Sequence, residues 1–135
     1  MSGIRRLQHT SVPIAPAGHA TARGFYGEAL GLTEISPPRE LRALSLVWFS
    51  AGNDGQELHC FAEERPFSAT SGQHLCLEVD DLDAFRHRLE SHGVPIEEAE
   101  AIRNRPRCFV RDPFGNLLEL TQIDGPYDPD LARAV

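Results

Sequence analysis

Four strand-like stretches each carry a histidine or a carboxylate among apolar neighbours. These are His9 in LQHTSV, His59 in QELHCF, His74 in QHLCLEV and Glu119 in LLELTQ. Successive strand side chains point to opposite faces. In QELHCF, Leu58 and Cys60 therefore share one face, and Glu57, His59 and Phe61 share the other. In QHLCLEV, Leu75, Leu77 and Val79 oppose His74, Cys76 and Glu78; in LLELTQ, Leu118 and Leu120 oppose Leu117, Glu119 and Thr121. LQHTSV groups Leu7, His9 and Ser11, but its other face is mixed. A carboxylate such as Glu119 held between two dry faces would carry a severe desolvation penalty. Its face is therefore wet, or it has a cationic partner: Arg107, Arg111 or a metal. Two histidines and a carboxylate on one wet, concave sheet face make a first-row metal site, because imidazole nitrogen and carboxylate oxygen suit Zn, Ni, Co, Mn and Fe(II). Taken singly, the same residues read more plainly as hydrogen-bonded interior histidines and an ion-paired glutamate.

The elements that must position these residues recur. LQHTSV (7–12) reads as a first strand, followed by a helix over about 17–30 with Ala22, Phe25, Tyr26 and Ala29 as its apolar stripe and Gly31 as its C-cap. Gly24 and Gly27 weaken that helix. Then come LTEIS, ALSLVWFS (43–50), a turn at Gly52–Gly55, and QELHCF (56–61). The order then repeats: QHLCLEV (73–79), a helix capped by Asp80 or Asp81 with Leu82, Phe85 and Leu89 on one side and Gly93 at its end, short extended segments near 95–98 and 107–111, and the Leu117 strand. The Asp112-Pro113-Phe114-Gly115-Asn116 run is dense in turn formers. Phe49, Gly55, Leu58 and His59 answer Phe109, Gly115, Leu118 and Glu119 at an offset of 60 (119 − 59), and His9 answers His74 at 65 (74 − 9). The pattern β-α-β-β-β thus appears twice, as module one (about 5–62) and module two (about 73–122), with a polar linker (about 63–72) and a tail (123–135).

Composition narrows the class. A chain of 135 residues, 41% hydrophobic and 24% charged, suits one folded domain. A net charge of −7 with scattered arginines argues against a nucleic-acid surface. No apolar run approaches a membrane span, and the N-terminus lacks a signal core. Cys60, Cys76 and Cys108 fall in separate strands, which argues for reduced thiols and a cytoplasmic protein. Cys76 shares the face of His74 and is expected to be a small packed residue. Trp48 and Phe49 alternate on one strand, so one of them is expected on the polar face. Arg103, Arg105 and Arg107 offer an anion clamp or, more plainly, a solvated basic loop.

FYGEALGL (25–32), HLCLEVDDLDAF (74–85) and above all RDPFGNLLEL (111–120) resemble the vicinal oxygen chelate superfamily, which includes glyoxalases, bleomycin-resistance proteins, fosfomycin-inactivating enzymes and extradiol dioxygenases. The resemblance spans about 7–122. It implies an α+β, glyoxalase-like fold of two βαβββ modules forming a half-barrel cleft, a homodimer, a small-molecule substrate and a divalent transition metal. By motif it makes His9, His74 and Glu119 ligands. The second ligand position falls on QELHCF, at His59 by the count from Gly55 or at Glu57. It implies a metal-dependent lyase, isomerase or thiol transferase acting on vicinal oxygens, for which Glu57 or Glu119 is the candidate base; the residues themselves offer Trp48, Phe49, Arg103, Arg105 and Arg107 as candidate substrate contacts. Two rivals follow from the same resemblance: a ring-cleaving dioxygenase, and a metal-free drug-binding protein.

Overall fold

Both sheets are built on the alternation visible in the sequence. The computed structural model describes residues 2–64 and 70–127; residues 65–69 of the expected linker and 128–135 of the expected tail lie outside them. The chain divides into two compact units, Met1–Phe67 and Ser68–Val135. Each holds one βαβββ module, and the fold is α+β. Among the described residues no helix is long and apolar enough to cross a membrane.

Module one comprises β1 (His9–Ile14), α1 (His19–Ala22) running directly into a π-helical segment (Arg23–Ala29), β2 (Thr33–Ile35), a 3-10 turn (Arg39–Leu41), β3 (Leu46–Ser50) and β4 (Glu57–Ala62). Its sheet order is β1-β4-β3-β2. β1 runs parallel to β4, while β3 is antiparallel to both β4 and β2. Val12, Ile14, Val47, Phe49, Leu58 and Cys60 are buried, as are Ala22, Phe25, Tyr26 and Ala29 of the helical stripe. Tyr26 meets Phe49 at 5.8 Å between ring centroids. Fully burying side chains of this size contributes about 1.5–3 kcal/mol each, enough to hold a helix that contains Gly24 and Gly27. The local chain nevertheless relaxes into the wider π form, with Leu30 N–H donating to the Phe25 carbonyl at 2.9 Å. Two strands start two or more residues later than the sequence pattern suggests. β1 begins at His9, leaving Leu7 exposed, and β3 begins at Leu46.

Module two comprises β5 (His74–Glu78), α2 (Leu82–Ser91), β6 (Ile96–Glu98), β7 (Arg107–Arg111) and β8 (Leu117–Thr121), in the order β5-β8-β7-β6. Asp81 rather than Asp80 caps α2, its carboxylate accepting from Ala84 N–H at 3.0 Å. Leu82 and Leu89 are buried, together with Cys108, Val110, Leu118 and Leu120 of the sheet. Gly93 ends the helix at φ +73°.

The two modules share one topology, which confirms the repeat, but the register corrects one correspondence. Trp48 pairs with His59, and Phe109 pairs with Glu119. Trp48, not Phe49, is therefore the counterpart of Phe109. The offset of 60 fails there because the β3–β4 turn (57 − 50 = 7) is one residue longer than the β7–β8 turn (117 − 111 = 6). Both turns end in a left-handed glycine, Gly55 at φ +80° and Gly115 at φ +90°. His59 and Glu119 each lie four residues beyond it.

Candidate functional site

In module two, adjacent strands set His74 and Glu119 side by side. β5 and β8 are parallel neighbours, with Cys76 opposite Glu119. His74 Nε2 lies 3.0 Å from Glu119 Oε2, while His74 Nδ1 donates to the Gly72 carbonyl at 2.9 Å. A neutral imidazole has one N–H. With Nδ1 donating, Nε2 carries a lone pair, and a lone pair beside a carboxylate oxygen needs a positive centre there, a proton or a metal cation. The other carboxylate oxygen is held separately: Glu119 Oε1 accepts from Arg107 Nη1 at 3.1 Å and from Thr121 Oγ1 at 2.9 Å. Burial works to raise the Glu119 pKa, but the hydrogen bonds from Thr121 and Arg107, the Arg107 charge and the His74 contact together overcome it and hold the carboxyl below its ordinary value. Phe109 stands edge-on to the His74 ring, 5.1 Å between centroids.

Module one presents a ring stack instead. His59 lies between Trp48, at 3.5 Å and 6° between planes, and His9, at 4.1 Å and 20°. His59 Nε2 donates to Glu57 Oε1 at 3.0 Å, and His9 Nδ1 donates to Gln8 Oε1 at 2.7 Å. Burial pushes the His59 imidazole below its ordinary pKa, partly offset by Glu57. The hydrogen bond from His59 is the main reason that the Glu57 carboxyl also sits below its ordinary value.

These placements sort the candidate residues. His74 and Glu119 converge, with an imidazole nitrogen and a carboxylate oxygen spaced like neighbouring ligands about 2.1 Å from one ion. That donor set fits a first-row divalent metal. His9 and His59 do not converge as they stand: imidazole lone pairs lie in the ring plane, so nearly parallel stacked rings cannot aim both at one point. Among the described residues no three His, Cys, Asp or Glu side chains form a ready cation cage. Trp48 stands on the polar face, whereas Phe49 is fully buried. The three arginines do not form one clamp. Arg103 is exposed. Arg107 spends Nε and Nη2 on the Glu100 carbonyl and Nη1 on Glu119. Arg105 Nη1 donates to the Asn104 and Gly125 carbonyls. Cys76, expected to be packed, is exposed, whereas Cys60 and Cys108 are buried. Sequence reasoning gave no role to Thr121 or Phe109. Same-face spacing from Glu119 could have flagged Thr121, and cross-strand pairing could have flagged Phe109.

Comparison with known proteins agrees with this architecture. The family model described as the Glyoxalase/Bleomycin resistance protein/Dioxygenase superfamily matches residues 6–120. Over 128 residues the chain is 30% identical to the uncharacterized protein YaeR of Escherichia coli (strain K12), covering 89% of this chain and 98% of that one. A crystal structure from Bacillus anthracis, of a protein described as belonging to the glyoxalase family, superposes with a TM-score of 0.82 at 30% identity, covering 91% of this chain and 98% of that chain. The crystal structure of lactoylglutathione lyase from Agrobacterium tumefaciens superposes with a TM-score of 0.67 at 23% identity, covering 90% and 96%.

Proposed function

The chain belongs to the Glyoxalase/Bleomycin resistance protein/Dioxygenase superfamily, and on that premise we propose that it is a metal-dependent enzyme of the lyase, isomerase or thiol-transferase type, acting on a small substrate with vicinal oxygens. Superfamily members commonly bind divalent metals and small molecules. The observation that carries the reading is the pairing of His74 Nε2 with Glu119 Oε2 at 3.0 Å, with the outer atom of each side chain already engaged. Outer hydrogen bonds of this kind fix the tautomer of a ligating histidine and the orientation of a ligating carboxylate.

His74 and Glu119 are the core of the proposed ligand set, completed from the resemblance by His9 and His59. For both of the latter to ligate, one ring must leave the stack. A metal bound there supplies Lewis acidity toward the substrate oxygens. Glu57 is the proposed general base. Its side chain is 27% exposed, its carboxyl is ionised at neutral pH, and His59 holds one of its oxygens. Glu119 suits that role less well, since both of its oxygens are occupied. Trp48 supplies a flat apolar wall for the substrate. The proposal includes a homodimer, which light scattering on the purified protein tests directly.

The deciding experiment is elemental mass spectrometry of the purified protein and of the His74→Ala and His9→Ala variants. The proposal expects about one transition metal per wild-type chain and its loss in both variants. Fe(II) as the resident metal redirects the chemistry toward dioxygen. No metal after soaking in Zn, Ni, Mn and Fe(II) sinks the catalytic reading and leaves a metal-free binding protein.

A further inference from the structure

Module two contains a cavity of about 540 Å³, bounded by the start of α2, the 99–107 segment and Asp124. Its size falls within the roughly 300–1,000 Å³ of small-molecule sites. Three guanidinium groups line it, Arg86, Arg105 and Arg107. Two are spent. Arg86 gives both Nη groups to Glu98, at 2.5 and 3.0 Å, and Arg107 is taken up by the Glu100 carbonyl and Glu119. Arg105 differs. One Nη holds the Asn104 and Gly125 carbonyls, and its guanidinium carbon lies 4.8 Å from the centroid of the Tyr127 ring. Its Nε and second Nη meet no hydrogen-bond partner among the described residues, and no carboxylate among them pairs with it.

The wall carrying Arg105 is fixed. Asn104 holds a left-handed backbone at φ +58°, its Nδ2 donates to the Pro126 carbonyl at 2.8 Å, and its carbonyl accepts from Asp124 N–H at 3.0 Å. A part-buried guanidinium anchored on one edge and, among the described residues, open on the other is preorganised for a planar anion. Leu82, Ile102 and Pro106 give the same cavity an apolar side. Asp83, Glu100 and Asp124 also line it, and these carboxylates oppose any ligand with several negative charges.

We propose that this cavity is a binding site for a small amphiphilic monocarboxylate, its carboxylate on the open edge of Arg105 and its short alkyl chain against Leu82, Ile102 and Pro106. The cavity lining includes none of the proposed metal ligands, although Arg107 in its wall hydrogen-bonds Glu119, and its test involves no metal.

The test is amide chemical-shift mapping of the isotope-labelled protein, titrated with 4-methylpentanoate, with the matching alcohol 4-methylpentan-1-ol, and with inorganic phosphate. The proposal expects saturable shifts from 4-methylpentanoate at residues 82–86, 102–107 and 124, with neither the alcohol nor phosphate binding as tightly. Arg105→Gln should weaken 4-methylpentanoate about tenfold, the loss of one charged hydrogen-bonding group, and Arg105→Lys by less. If Arg105→Gln disturbs the fold, the wild-type map decides alone. Absence of saturable shifts, shifts centred elsewhere, or equal binding of the alcohol or of phosphate would each overturn the proposal.

Discussion

The indole of Trp48 lies face to face with the imidazole of His59, 3.5 Å between centroids and 6° from parallel. The pairing follows from register, since the two residues sit opposite each other on β3 and β4. It shields the ring that hydrogen-bonds Glu57. Trp48→Ala is expected to lower stability by about 3 kcal/mol, in line with large aromatic truncations, and to bring the His59 pKa back up toward its ordinary value as water reaches the ring. Trp48→Phe should retain most of both effects. Urea melts and an NMR titration of the His59 ring protons check the two parts separately. An unchanged His59 titration in Trp48→Ala would show that the stack does not control its burial.

His59 also predicts a pH dependence of stability. Burial holds its folded pKa below the ordinary 6.5, against a partial pull upward from Glu57. A histidine lowered in this way binds fewer protons folded than unfolded, so stability rises with pH across the interval between the two values. Its contribution is fully present above 6.5 and is lost as pH falls through the lower folded value. Chelator-treated protein should therefore show urea midpoints that decline between neutral pH and mildly acidic pH. In His59→Gln the decline should be shallower; equal slopes would refute the assignment.

The turn before β8 is expected to be a weak point when its acid is removed. Asp112 is buried and accepts from Phe114 N–H (2.9 Å), Asn116 N–H (2.8 Å) and Asn116 Nδ2 (2.7 Å). Its backbone N–H donates to the Asn116 carbonyl and its own carbonyl accepts from Gly115 N–H. Asp112→Ala orphans several donors at once and should cost about 3 kcal/mol. Gly115→Ala, at φ +90°, should cost about 1–2 kcal/mol through backbone strain. Thermal melts of both variants measure this, and a smaller loss for Asp112→Ala than for Gly115→Ala would contradict the hydrogen-bond account.

How far the sequence could be read follows from what each signal encodes. The DPFGN turn and the faces of β4, β5 and β8 were legible, because turn chemistry and a period of two are local properties. So was the repeat, because matched turns place His59 and Glu119 at the same count from a left-handed glycine. The choice between Trp48 and Phe49 was not, since one extra turn residue shifts the facing of the preceding strand and no local signal reports a turn's length relative to its counterpart. The π form of Arg23–Ala29 stayed hidden because its stripe fits an α-helix equally well. Ring rotamers were also out of reach: nothing in the spacing of His9 and His59 distinguishes stacked from convergent imidazoles. Nor does spacing reveal that Arg107 reaches the Glu100 carbonyl, a partner set by the path of the 99–107 segment.

Thr121 supplies the sharpest separation of structure from function in module two. Its hydroxyl donates to Glu119 Oε1 from two residues along the same strand face, at 2.9 Å. Arg107 reaches the same oxygen, so the carboxylate stays paired when the hydroxyl is removed, and Thr121→Val should cost only about 1 kcal/mol of stability. If Glu119 Oε2 ligates a metal, the same change leaves Arg107 alone to orient the carboxylate, and outer hydrogen bonds of this kind are worth roughly 10–100-fold in metal affinity. Competition titration with a chromogenic chelator should therefore show weakened metal binding in Thr121→Val, restored in Thr121→Ser, while melts of the two variants stay close to wild type. Equal metal affinity in all three proteins would place the Thr121 hydrogen bond outside the ligand geometry and leave Arg107 as the group that orients Glu119.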